Sequence, residues 1–86
     1  MLREILEGMD KKLKIVIDKL EQRLEDLLND PSAKFLAPVL SRAITLLENN
    51  DVVGALEWID ENIKRANSRD TMKLEIIADY IESGIL

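Results

Sequence analysis

"NDPSAKFLAPVL", Asn29 to Leu40, holds both prolines of the chain, Pro31 and Pro38. Pro31 biases Asp30 away from helical angles, which ends any preceding helix at about Asn29. Asp30 can accept hydrogen bonds from the free amides of the following turn. Pro31 suits a first helical position, where no donor is needed. Pro38 is harder to place: inside a helix it removes one hydrogen bond and its ring meets the carbonyl of Lys34. Either residues 31–37 form a short helical turn and Pro38 opens the next helix, or one kinked helix runs from Pro31 to about Glu48. The first arrangement is preferred, because residues 31–37 then make a corner with Phe35 and Leu36 beneath it.

Upstream of the corner, helix-forming residues run without a break. The apolar positions Leu2, Leu6, Met9, Leu13, Val16 and Leu20 alternate steps of four and three, the seam of a heptad repeat. The next seam position holds Arg23, while the stripe continues at Leu24 and Leu27; such a stutter unwinds a supercoil locally. The pattern predicts a long helix over about 2–29, packed in a bundle rather than a two-stranded rod. Gly8 marks a place for fraying, a kink or a close helix crossing.

Downstream, the pattern predicts a helix over about 38–48, with Val39, Leu40, Ala43, Ile44, Leu46 and Leu47 apolar. "NND" breaks it. Asp51 is a credible cap for a helix over about 52–67, in which Gly54 and Ala55 favour close approach to a neighbour. Ser68, Asp70 or Thr71 caps a last helix over about 71–83, and Gly84 suits a left-handed C-terminal cap. No strand signal competes. The expected fold is all-α: one domain over 1–86, a small bundle of four main helices with a long N-terminal helix and mostly antiparallel neighbours.

Composition narrows the chemistry. With no Cys and no His among 86 residues, disulfides and a His-assisted nucleophile are excluded, and zinc, haem and iron–sulfur sites lose their usual ligands. Gly8, Gly54 and Gly84 are too scattered for a phosphate loop. No cofactor or metal is expected. The net charge of −5 comes from the second half: residues 44–86 carry four Lys/Arg and nine Asp/Glu, residues 1–43 eight of each. Lys11, Lys12, Lys14 and Lys19 form the one possible basic stripe, interleaved with acids. No apolar run approaches a membrane span. "MLREILEGMD" lacks a signal-peptide core, and the expected localisation is cytoplasmic.

Two partial resemblances arise. "LLENNDVVGALEWIDENI" is faintly similar to the hairpin of tetratricopeptide repeats, in one copy only. The acidic set Glu57, Asp60 and Glu61, with Glu75 and Asp79 on the next helix, loosely resembles that of MazG-type nucleotide pyrophosphohydrolases. Those carry Glu-Glu-x-x-Glu followed by Glu-x-x-Asp, and the spacing here departs from both. That likeness implies Mg²⁺-dependent nucleotide hydrolysis, the third-ranked expectation.

The leading expectation is a non-enzymatic protein–protein interaction or oligomerisation module. A first helix of about 28 residues exceeds what shorter helices can cover, and monomers seldom expose such a seam. Its cover is expected to be a second copy, as a dimer, or another protein. The expected interface is Leu2, Leu6, Met9, Leu13, Val16, Leu20 and Arg23. Trp58 and Tyr80 are core-edge residues with interface contact as the alternative. A dimeric helical nucleic-acid regulator using the basic stripe ranks second; membrane partners are not expected.

Overall fold

Asp30 is extended at φ −108° and ψ 110°, and its carboxylate accepts from the Ser32 amide at 3.0 Å and the Ser32 hydroxyl at 2.8 Å. The corner predicted at the first proline is therefore present. A computed structural model describes the backbone of residues 2–85 and the side chains of residues 11–85. Helix α1 spans Leu2–Leu28, a 3-10 turn spans Pro31–Ala33, α2 spans Leu36–Glu48, α3 spans Val52–Ile63 and α4 spans Ser68–Ile85. Among the described residues there is no strand. The fold is the expected all-α bundle of four helices.

Each helix packs on its sequence neighbour, and α1 also packs on α4. A Cβ built on Gly84 would lie 2.6 Å from Val16, and Asp30 feels the charges of Lys73 and Arg69. The end of α4 thus meets the middle of α1, and the start of α4 meets its end. The two helices are antiparallel.

Four boundaries differ from expectation, each for a local reason. Pro38 is the third residue of α2, not its first. Amides of a first turn lack intrahelical partners, so proline costs nothing there. Residues 34 and 35 turn without joining either helix. Helix α3 ends at Ile63 and α4 begins at Ser68, because Asn67 takes the capping role: the Asp70 amide donates to Asn67 Oδ1 at 2.8 Å. Thr71, a candidate cap, instead donates its hydroxyl to the Ile63 carbonyl at 3.3 Å. Gly84 is not a left-handed cap; it lies within α4, and no described glycine has a positive φ.

The "NND" break is a defined motif. Asn50 has φ 63°. The Asn50 amide donates to Leu47 at 2.9 Å and the Asp51 amide to Leu46 at 2.9 Å. These two bonds around a left-handed residue are the Schellman arrangement, which satisfies carbonyls at the end of α2. Asp51 then caps α3 by accepting from the Gly54 amide at 2.9 Å. Gly54 serves that cap: the atoms nearest to a Cβ built there are those of the Asp51 carboxylate.

The core draws on every helix. Leu36, Leu40 and Leu47 of α2, Ile59 of α3, and Leu74 and Ile81 of α4 are almost wholly buried, along with Val16 of α1. At roughly 25 cal/mol per Å² of apolar surface, burial of each such side chain contributes about 1.5–3 kcal/mol. Helix α1 runs unbroken through Gly8. Its seam does not await a partner over residues 16–27: Val16 is 1% exposed and Leu20 3%. Leu13 and Leu24 pack against the same core. Over residues 13–27 the later helices therefore do cover the long helix, contrary to expectation. Helices α2 and α4 supply that cover together, α4 with a close crossing at Gly84.

Candidate protein-interaction groove

Helix α4 has more apolar residues than one face can bury. Leu74, Ile77, Ile81 and Ile85 step by three and four and turn inward. Met72, Ile76 and Tyr80 step by four along the adjoining line. Met72 is 64% exposed, Ile76 is 65% exposed and Tyr80 is partly buried. On α1 the matching line is Ile15, Lys19 and Arg23, all exposed, with Ile15 at 59%. Residues four apart on a helix are neighbours, so each line is one edge of a shallow trough.

Between the edges lies a groove of 320 Å³ lined by Lys19, Leu20, Arg23, Leu27, Leu36, Lys73, Ile76, Ile77 and Tyr80. Leu20, Leu27, Leu36 and Ile77 are buried and form an apolar floor. The charged lining residues are three cations, with no carboxylate. Asp30 follows α1 three residues beyond Leu27 of the lining. The Ser32 hydroxyl and amide hold its carboxyl below the usual range, and Lys73 and Arg69 add to that effect. Lys73 therefore serves both the groove and the corner. The groove is suited to binding an apolar surface flanked by negative charge.

The other predicted site residues separate. Arg23 occupies the stutter and points outward, as a guanidinium at that position must unless paired. Val16 belongs to the core, and Leu20 is floor rather than free surface. Leu2, Leu6 and Met9 lie outside the residues whose side chains are described. Tyr80 lines the groove. Trp58 does not: its indole donates to the Val39 carbonyl at 2.9 Å and ties α3 to α2. Lys11, Lys12, Lys14 and Lys19 are exposed. At about 100° per residue they do not form one stripe: Lys12 and Lys19 share a side, and Lys14 points elsewhere.

Glu57, Asp60, Glu61, Glu75 and Asp79 are exposed. A second groove, between α3 and α4, is lined by Glu57, Asp60 and Glu82 beside Leu56, Ile63 and Ala78, without Glu75 or Asp79. Among the described residues no three acidic side chains are grouped to hold a metal ion. No described helix is long and apolar enough to cross a membrane.

Sequence reasoning missed Met72, Lys73, Ile76 and Ile77 as a surface. The signal was the surplus of apolar positions on α4, seven from Met72 to Ile81, where a single stripe needs about half. Compared with protein-family models, with curated proteins and with solved structures, the chain matches none.

Proposed function

We propose that this protein is a non-enzymatic protein-interaction module and that the α1–α4 groove is its binding surface. One observation carries the reading: Ile76, 65% exposed, stands at the edge of a groove with an apolar floor. Exposed apolar side chains that adjoin one another around a concave surface mark interaction sites, whereas isolated ones do not. Leu28 and Val53 are also exposed but lie away from the groove lining. The partner is another protein or a second copy of the chain.

Site-specific photocrosslinking in cells tests this. A photoreactive residue in place of Ile76 is expected to give a discrete adduct, while one in place of Thr45, exposed on α2, gives none. An adduct of twice the chain's mass identifies self-association. Absence of any discrete adduct at position 76, with the variant folded, overturns the proposal.

A further inference from the structure

Resting on that reading, we infer that the groove's occupant is an amphipathic helix of a different protein, with an apolar stripe flanked by Asp or Glu. The first argument is charge. The chain carries a net −5, yet the groove is lined by Lys19, Arg23 and Lys73 and by no carboxylate. Cations at the edge of an apolar floor favour acids on the flanks of whatever lies along it. At physiological ionic strength the screening length is about 8 Å, so the cations that line the groove act most strongly on whatever lies along its floor.

The same charges argue against the simplest self-association. A two-fold dimer centred on the groove would bring the patch that holds Lys19, Arg23 and Lys73 against the same patch of the other copy. Like charges brought together in this way oppose pairing.

Shape favours a helix. The walls are two antiparallel helices, and a third helix laid between them meets ridges and grooves on both. From Lys19 to Leu27 the trough runs roughly 12 Å at 1.5 Å per residue, about two helical turns. That length suits anchors at i, i+4 and i+7 of the bound helix.

The test uses the full chain, isotopically labelled at Leu and Ile methyls, and three probes. One is a helical peptide with a leucine stripe flanked by Glu. The second is the same peptide with Lys for every Glu. The third is laurate, a small anionic amphiphile. The Glu peptide is expected to shift the methyls of Leu20, Ile76 and Ile77. Its affinity should fall at least tenfold in the K19E/R23E/K73E variant and fall with added salt. The outward position of Arg23 and the partial exposure of Lys73 let this variant fold, which its thermal midpoint checks; K19E/R23E serves if it does not. Binding of the Lys peptide with equal affinity, or a response to laurate alone, overturns the inference. So does absence of any shift from the Glu peptide. The crosslinking result separates the two claims: an adduct at position 76 mapping to a basic segment, or to the groove of a second copy, defeats this inference and leaves the interaction reading standing.

Discussion

Gly84 and Gly54 are both helical, yet the same substitution acts on them through different forces. Alanine in place of helical glycine gains about 1 kcal/mol from backbone propensity. At Gly84 that gain meets Val16, which is 1% exposed and has nowhere to move. Overpacking of this kind costs about 1–3 kcal/mol. Gly84→Ala is therefore expected to lower the thermal midpoint, and Val16→Ala in the same chain to recover part of the loss. A midpoint raised by Gly84→Ala would show that α4 does not cross α1 so closely. At Gly54 the obstacle is an exposed carboxylate that can rotate. Gly54→Ala is expected to be near neutral, and stabilising in an Asp51→Ala background where no cap is left to disturb. Trp58→Phe removes the bond to Val39 and is expected to cost about 0.5–1.5 kcal/mol in urea unfolding followed by circular dichroism. The sequence identified Gly84 as special but assigned it a left-handed cap instead of a helix crossing. Whether a missing Cβ serves a turn, a cap or a crossing depends on what lies opposite, and opposition is a tertiary fact.

Caps and turns decide the elements. Asn50, at φ 63°, holds a conformation that costs most residues about 1–2 kcal/mol and Asn less. Asn50→Ala is expected to destabilise by about 1 kcal/mol, a shift of roughly 4–8 °C in a domain this size, while Asn50→Gly is expected to cost nothing. The Asp30 cap titrates. Its carboxyl is held low in the folded chain, first by the Ser32 hydroxyl and then by the Ser32 amide. The stabilisation it gives is complete above the ordinary aspartate value, about 4, and is lost as pH falls through the lowered one. Comparing acid unfolding of wild type and Asp30→Asn should show the two curves converging only below that point. Convergence already at neutral pH would mean the cap contributes nothing. Element existence was legible because the apolar periods are regular and Asp30 and Asp51 precede them. The start of α4 was misplaced because Ser68, Asp70 and Thr71 all read as caps within one turn, while Asn67, which the sequence reading passed over, accepts from the Asp70 amide once Thr71 has bonded to α3.

At the scale of the whole molecule, the length of α1 sets the shape. Its 27 residues measure roughly 40 Å, against a longest dimension of 46 Å. The core side of α1 and the groove edge on α4 are expected to respond differently to substitution. Leu20→Ala, in the core, is expected to cost about 2–5 kcal/mol, whereas Ile76→Asp, at the edge, should change stability by no more than about 0.5 kcal/mol. If Leu20→Ala changed the solution mass and left the thermal midpoint alone, the seam would be an intermolecular surface after all. The heptad pattern of α1 was legible in the sequence; its inward direction was not. A stripe of Leu and Val reads the same whether α4 or another chain lies on it.

The contact between α1 and α4 closes a ring whose remaining links are local. During translation α1 leaves the ribosome first, and its covering helix follows only after α2 and α3. For that interval Val16 and Leu20 lack their final neighbour, so the nascent chain passes through a sticky stage that the finished protein conceals. Ribosome-bound chaperones would meet it then, and a variant that slows closure at Gly84 would lengthen the encounter.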